Sequence, residues 1–184
     1  MLNDMQNMTG KRSKMRNRLR GKLAIWMVTI GLLLSGCAGG QAPEAIWMEP
    51  YKGITSTDLS SEKGELSAWG MTKEQVKTEQ GKPDFEGSTD VGGTVLEYKG
   101  YQYLFRGGKL EGIAFKEGGN TARQVGVGDG EGAIAESYGP NFLEREQQGF
   151  QIIGYIDQEN KRILEFSLKD GKVEFATVFQ VKEY

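Results

Sequence analysis

The sequence contains no histidine and only one cysteine among its 184 residues. Histidine is the commonest general base near neutral pH and a frequent zinc ligand, so its absence removes the usual routes to hydrolytic and zinc chemistry. A single cysteine cannot form an internal disulfide. We therefore expect a protein that is not an enzyme and that holds no metal and no other cofactor.

Charge is distributed unevenly along the chain. The formal net charge is −2, but residues 1–36 carry seven lysines and arginines and a single acidic residue, Asp4. The rest of the chain holds 16 basic and 24 acidic residues, which gives it a net charge of −8. A body of that charge is repelled by nucleic acid, so we expect no nucleic-acid partner. The basic leader is instead typical of a positive-inside targeting segment.

An apolar run from Leu23 to Leu34 follows the basic leader, and small residues then precede the cysteine. This order of regions is typical of a secretory signal. The run has twelve residues, whereas a helix needs about 20 to cross the roughly 30 Å of hydrocarbon in a bilayer. An uncleaved membrane anchor is the alternative interpretation of the same segment.

The residues Leu34-Ser35-Gly36-Cys37 resemble the lipobox of bacterial lipoproteins. The resemblance implies that residues 1–36 are a signal peptide, cleaved between Gly36 and Cys37, and that diacylglycerol is attached to the Cys37 sulfur. Membrane lipid would then anchor the protein to the extracytoplasmic face of the cell membrane. Two acyl chains matter here, because one chain gives only marginal and reversible attachment.

Residues 37–65 are predicted to be the lipidated cysteine and a tether. Residues 38–43 have the small, flexible composition of a linker, and residues 55–64 are polar and typical of a loop. Between these stretches, residues 46–51 form the apolar cluster Ile-Trp-Met-Glu-Pro-Tyr. We expect this cluster to pack on the domain as an extra strand or a short helix. The alternative is an exposed, adhesive segment near the membrane.

Residues 66–184 are predicted to form an α+β domain of two tandem repeats, with units at about 66–119 and 120–184. In each unit a β-branched apolar residue stands six positions after a first glycine, a second glycine stands eleven positions after the first, and a proline follows. The residues in question are Gly70, Val76, Gly81 and Pro83 in one unit and Gly128, Ile134, Gly139 and Pro140 in the other.

This pattern predicts one short helix in each unit. Thr72 and Gln75 have the spacing of a capping box, and Asp129 is expected to cap the second helix. A glycine followed by proline is a typical helix end. Val76 and Ile134 should face the core.

Alternating and aromatic-rich runs after each helix predict antiparallel meanders of three or four strands. The six runs are Thr94–Tyr98, Tyr101–Arg106, Lys109–Phe115, Gln151–Ile156, Arg162–Leu168 and Lys172–Phe179. Residues 84–90 and 141–149 each have room for a further short strand. Asp170-Gly171 is a strong hairpin signal. We expect the helices to pack on one sheet face and the other face to stay open to solvent.

The tandem arrangement and the motif Gly70-Met71-Thr72 followed by Val76 resemble the β-lactamase-inhibitor-protein-like fold and the small outer-membrane assembly lipoproteins similar to it. The resemblance covers about residues 66–180. It implies protein–protein binding through a concave, open sheet face. Each unit here has one helix instead of a helix-loop-helix, the second unit lacks the Met-Thr pair, and the inhibitor's paired cysteines are absent. Inhibition of a β-lactamase is therefore not implied.

The glycine-rich stretch Gly126–Gly132 invites a phosphate-loop interpretation, but it fits neither the Walker pattern nor a βαβ unit. Asp129 and Glu131 would repel phosphate, and the spaced oxygen ligands of a calcium loop are missing. The stretch is therefore predicted to be a loop and helix start.

Tyr98, Tyr101 and Tyr103 form an aromatic stripe with Phe105. Core and cross-strand packing is the default interpretation, and a binding platform on the open face is the alternative. The sequence as a whole favours a non-enzymatic, membrane-anchored protein-binding module. The other hypotheses are an inhibitor of a secreted enzyme and, less favoured, a cell-wall hydrolase.

Overall fold

The chain folds around one eight-stranded antiparallel sheet in the computed structural model, which describes residues 48–90 and 92–181. The strands lie across the sheet in the order β1-β2-β3-β4-β8-β7-β6-β5. Their bounds are β1 Phe85–Ser88, β2 Thr94–Tyr98, β3 Tyr101–Arg106, β4 Lys109–Phe115, β5 Leu143–Gln147, β6 Phe150–Asp157, β7 Arg162–Lys169 and β8 Lys172–Gln180. The six alternating runs therefore predicted strands at the right places, and the short strands β1 and β5 lie in the two intervals that had room for a further strand.

Tight turns join neighbouring strands along the chain. Asp170 and Gly171, between β7 and β8, both have positive φ, at 52° and 72°. Gln148 and Gly149, between β5 and β6, have φ of 52° and 82°. Two consecutive left-handed residues are typical of the hairpin turn that matches the right-handed twist of the strands.

Two α-helices lie in the described ranges, α1 Lys73–Gln80 and α2 Glu131–Tyr138. The predicted capping box is confirmed, because the Thr72 hydroxyl accepts from Gln75 N and the Gln75 side chain accepts from Thr72 N. The predicted cap of α2 is wrong. Gly130 is its N-cap residue, and the Asp129 carboxylate instead accepts a hydrogen bond from Gly126 N at 2.8 Å.

The predicted fold class, α+β with two tandem repeats and helices packed on one sheet face, is wrong. In the described residues two helices of eight residues each accompany one continuous sheet, so the fold is mostly β. Strands β4 and β8 pair directly, with Gly112 opposite Phe179 and Phe115 opposite Ala176, and this pairing joins the strands into a single sheet. Local alternation predicts strands, but it does not predict pairing between segments this far apart in the chain.

The main core lies on one side of the sheet and is covered largely by irregular segments. The helices contribute only three buried side chains, those of Val76, Ile134 and Tyr138. Residues in loops also contribute three buried side chains, and three more that are partly buried. These loop residues are Leu59, Leu66, Val125, Trp69, Met71 and Phe142.

The chain passes from one side of the sheet to the other between residues 48 and 69. We call residues 48–57 the strap. Its short 3-10 helix, Glu49–Tyr51, packs on the side opposite the main core, where Tyr51 is buried with Ile156 and Ile163. The predicted packing of this apolar cluster as a short helix is thus confirmed for its described residues.

After the strap the chain turns around the end of β6, where the buried Asp157 carboxylate accepts from Leu59 N at 2.8 Å. It then enters the main core through Leu59. Residues 48–65, predicted to belong to a tether, thus include residues that are buried on the sheet. The boundaries of the predicted domains stay predictions.

The leader, the lipobox and Cys37 lie outside the described residues, so signal cleavage and lipidation stay predictions. Within the described ranges, no helix combines the length and the apolar character that crossing a bilayer requires.

Candidate binding face

The face of the sheet opposite the main core, which we call the open face, can be traced from strand register. Neighbouring residues of a strand point to opposite sides, and directly paired residues point to the same side. Leu96 belongs to the main core, so Glu97 points to the open face. The pairing then carries one row of side chains across all eight strands. This central row is Phe85, Glu97, Gln102, Ala114, Thr177, Glu165, Gly154 and Leu143.

Ala114 and Thr177, at the middle of the central row, are small, whereas the next two residues, Glu165 and Gly154, lie beneath the Tyr51 side chain. The adjacent row is apolar and includes Leu104, Phe179 and Ile163, which pair in register through Gly112. A sheet surface with small residues in its middle and apolar residues beside them suits contact with another flat surface better than enclosure of a small molecule.

Charged side chains on the open face are arranged in pairs. Lys116 Nζ lies 3.6 Å from Glu97 Oε1, and each side chain keeps 24% of its surface exposed. Gln102 donates through Nε2 to the same carboxylate at 2.8 Å. The other amide atom, Gln102 Oε1, is buried and has no hydrogen-bond partner in the described structure. Burial keeps this oxygen from solvent, so it forms part of the packed surface around Glu97.

A second cluster lies toward β5 and involves Arg145, Glu165 and Tyr51. The Arg145 guanidinium binds the Glu165 carboxylate at 2.9 and 3.1 Å, in a two-pronged arrangement. The Tyr51 hydroxyl donates to Glu165 Oε1 at 2.6 Å. Two donors on one carboxylate satisfy a charge that would otherwise be costly to bury.

The pKa values of this cluster follow from burial and charge. Burial raises the pKa of the Tyr51 phenol well above 10.0, and the neighbouring Glu165 carboxylate raises it further. Burial lowers the pKa of Arg145, but Glu165 outweighs that effect and the net pKa is raised. The phenol therefore stays protonated and the guanidinium stays charged at any ordinary pH, so a change of pH in that range does not break this contact.

The edge of the open face at β1 carries an exposed aromatic residue. Phe85 is 40% exposed, and its ring lies over Gly87, where a Cβ atom would stand only 2.6 Å from ring carbons. The opposite edge, β5, alternates charges through Glu144, Arg145 and Glu146. Charges on an edge strand oppose pairing with other chains, so the two edges of the sheet differ in character.

The tyrosines proposed from the sequence as a binding face lie elsewhere. Tyr101 and Tyr103 are buried in the main core, where their rings stack with centroids 6.2 Å apart. Tyr98 packs against that core and meets Tyr103 edge to face at 5.7 Å. The structure thus places this stripe on the core side, as in the packing interpretation, and not on the open face.

Sequence reasoning missed the residues that do line the open face. Arg145 and Glu165 lie on different strands, β5 and β7, which do not pair with each other. Alternation along β7 does indicate that Glu165 lies on the side opposite Leu164 and Phe166. This was the one sequence signal that pointed to Glu165 as a residue of the open face. Its partners were not predictable, because they depend on strand order and on the path of the strap.

A buried carboxylate on the main-core side holds the segment after the strap. Glu62 is fully buried, accepts from the Tyr138 hydroxyl at 2.6 Å and accepts from Ala122 N at 2.8 Å. Burial raises the pKa of Glu62, while these hydrogen bonds and the charge of Arg123 oppose the rise. This cluster ties residue 62 to α2 and is structural.

The described residues offer no group of three or more histidine, cysteine, aspartate or glutamate side chains placed to hold a metal ion. Both carboxylates of the glycine-rich stretch have protein partners: Asp129 accepts from Gly126 N at 2.8 Å, and Glu131 accepts from Gln151 Nε2 at 3.3 Å.

No protein-family model matches the chain, and no curated protein matches it. Among solved structures, one that is similar to this chain is an extracellular protein with an SCP domain from Bacillus anthracis. The two share 8% sequence identity and superimpose with a TM-score of 0.46, and the match covers 68% of this chain and 48% of that chain. The chain thus spans about half the length of that protein.

Two further solved structures are similar to this chain. A DUF4309-family protein from Bacillus subtilis matches at 16% identity and a TM-score of 0.46, covering 74% of this chain and 94% of that one. A candidate β-lactamase inhibitor protein from Streptococcus mutans matches at 12% identity and a TM-score of 0.27, covering 77% and 100%. One of the structural neighbours is thus described as a β-lactamase inhibitor protein, and the sequence was also found to resemble the β-lactamase-inhibitor-protein-like fold. The similarity is too low to transfer a function.

Proposed function

We propose that this chain is a lipid-anchored, extracytoplasmic binding module that holds a protein partner on its open sheet face and performs no chemistry on it. The observation that carries the proposal is the central row. Its middle residues Ala114 and Thr177 are small, and the charges of Glu97 and Lys116 beside them are partly exposed and already paired. The row passes beneath Tyr51 only where it reaches Glu165 and Gly154.

Paired charges on a flat surface favour recognition of another protein. Glu97, Lys116 and Arg145 are held by neighbours before any partner arrives, so little side-chain freedom is lost on binding. Paired charges at the rim of an interface contribute specificity more than affinity. The apolar row beside them, with Leu104 and Phe179, supplies surface whose burial favours association.

The anchor part of the proposal rests on Cys37 and its lipobox-like neighbours. Changing Cys37→Ser removes the sulfur to which lipid would be attached. We expect the variant to move from the membrane fraction to the soluble fraction of the cell envelope. An unchanged distribution between the two fractions would contradict lipid anchoring.

The binding part is tested by capture experiments on residues 38–184 with a matched pair of variants. Thr177→Arg places a long side chain at the middle of the central row, where Thr177 is half-buried. Thr78→Arg makes the same change on the exposed surface of α1. We expect a stoichiometric protein partner to be captured by the wild type and by Thr78→Arg but not by Thr177→Arg. Equal capture by both variants would place binding outside the open face.

A further inference from the structure

The strap is held on the open face by few contacts. Its backbone hydrogen bonds from Lys52 N to Glu49 O and from Ile54 N to Tyr51 O close within the strap itself. Among the described residues, its first backbone bond to the sheet is Thr57 N to Ile156 O at 2.7 Å, at the very end of the segment. Two further hydrogen bonds reach the strap from Gln158, from its N to Ser56 Oγ at 3.0 Å and from its Nε2 to Ile54 O at 3.5 Å. In these bonds, every contact of residues 48–56 with the rest of the chain therefore involves a side chain.

Tyr51 is the principal fastening of the strap. Its ring fits against Gly154, where an added Cβ would stand 2.3 Å from the phenol oxygen and 3.0 Å from ring carbons. Its hydroxyl reaches Glu165, which Arg145 orients. The slot formed by Gly154, Glu165 and Arg145 is thus shaped for an aromatic ring with a hydroxyl at its tip.

Aliphatic contacts flank the slot. Met48 and Ile54, three residues to either side of Tyr51, pack against the cluster of Ile156, Ile163 and Val181. If the strap left, the side chains of Ile156, Ile163 and Val181 would be exposed beside the slot. Exposed apolar surface of this kind favours binding of another protein segment.

The polar character of the fastening favours an exchangeable contact over a permanent cover. Well-packed apolar residues would commonly cover a sheet at least as stably as a buried ion pair does. Glu165 and Arg145 remain paired with each other when Tyr51 leaves, so release does not strand an uncompensated charge. A segment with few contacts and a satisfied binding site beneath it opens at the low end of the stability range of a protein.

We propose that the strap occupies in cis the place where a partner's segment binds, so that strap docking and partner binding exclude each other. The proposal rests on the proposed function for the choice of face. By analogy with Met48, Tyr51 and Ile54, the partner segment would carry a tyrosine with an aliphatic residue three positions before it and another three positions after it. Partner binding would then lift residues 48–57, the segment that leads to the predicted lipid anchor.

The test uses residues 38–184 and a labelled synthetic peptide of residues 48–57, so it needs no knowledge of the natural partner. Tyr51→Ala removes the fastening in cis. We expect the peptide to bind the Tyr51→Ala chain at least tenfold more tightly than the wild type, whose own strap competes. A peptide with alanine in place of its tyrosine should not bind, and Gly154→Ala in the Tyr51→Ala chain should abolish binding by filling the slot.

Hydrogen exchange on the same variants provides the second readout. In Tyr51→Ala we expect faster exchange in residues 48–57 and unchanged exchange in β7 and in the residues of the main core. Tyr51→Phe, which keeps the ring and loses the hydroxyl, should give an intermediate effect. Accelerated exchange throughout the sheet, or equal peptide binding to wild type and variant, would overturn the proposal.

Light scattering tests the alternative that the slot is filled by the strap of a second copy of this chain. We expect wild type and Tyr51→Ala both to be monomeric, and a dimer held by exchanged straps would contradict the assignment to a partner. None of these measurements uses a captured partner, so their failure would leave the proposed binding function standing.

Discussion

The two sides of the sheet are covered in different ways. On the main-core side, 21 buried residues of the described ranges form a cluster that joins the sheet to α1, α2 and the loop segments that contain Leu59 and Val125. On the open face, the buried cluster under the strap has four members among the same described residues, Tyr51, Ile156, Ile163 and Val181. The first cover is part of an extensive core, whereas the second buries few side chains, as the proposed exchange of the strap requires. We therefore expect the stability of the fold to depend mainly on the main-core side, and the proposed function places recognition on the open face.

The largest expected effect comes from the main core. Phe166 is fully buried and contacts the rings of Tyr138 and Tyr155. We expect Phe166→Ala to lower the free energy of unfolding by about 3–5 kcal/mol, measured by denaturant titration. Phe150→Ala is the matched change on the open face, where the half-buried ring meets Phe175. It should cost less than half as much, and equal losses would erase the contrast between the two sides.

The next effect concerns the buried carboxylate of the main-core side. Glu62→Ala leaves the Tyr138 hydroxyl and Ala122 N without their acceptor, which should cost about 2–3 kcal/mol in thermal or chemical unfolding. Glu62→Gln keeps an acceptor and should cost less. Indistinguishable losses for the two variants would show that these hydrogen bonds contribute little.

The same residue makes a prediction about pH. The pKa of Glu62 is raised in the folded state above its ordinary 4.5, so the folded state binds more protons than the unfolded state just above that pH. Stability contributed by this group is present below pH 4.5 and is lost as the pH rises through the folded-state value. We expect the wild type to lose stability relative to Glu62→Gln over this range. A constant difference between the two would contradict a raised pKa.

An intermediate effect is expected where the strap meets the sheet. Gly154→Ala puts a methyl group into the position of the Tyr51 phenol and should cost about 1–3 kcal/mol. In a Tyr51→Ala background the clash is gone, so most of the cost should vanish in a double-mutant cycle. Additive costs would mean that Gly154 is needed for some reason other than the strap.

The smallest effect is a local one at α1. Thr72→Ala removes the side chain that accepts from Gln75 N and should cost about 1 kcal/mol. Thr72→Ser keeps a hydroxyl and serves as the control. Because α1 contributes only Val76 to the main core, the loss should remain small, and a loss as large as that of Phe166→Ala would show that α1 matters more than its contacts indicate.

The strands were predictable because their signals are local. Alternation and turn residues predicted β2, β3 and β4 with the observed bounds, and Asp170-Gly171 predicted the β7–β8 hairpin. The capping box of Thr72 and Gln75 was equally local. The fold class was not predictable in the same way, because it depends on the nonlocal pairing of β4 with β8 and on irregular segments that carry much of the cover.

The candidate site shows the same limit. The tyrosine stripe was visible in the sequence, but its composition fits a core as well as a surface, and the structure places Tyr101 and Tyr103 in the core. The cluster of Tyr51, Arg145 and Glu165 draws its members from the strap, β5 and β7. No local pattern connects residues that far apart in the chain.

The most direct test of the account is photocrosslinking in the intact cell envelope, with a photoreactive residue placed at one of two positions in the full chain. Gln102 lies in the central row of the open face, and Glu136 is exposed on α2. We expect one discrete protein adduct from position 102 and none from position 136. An adduct from Glu136 alone, or the same adduct from both positions, would contradict the assignment of recognition to the open face.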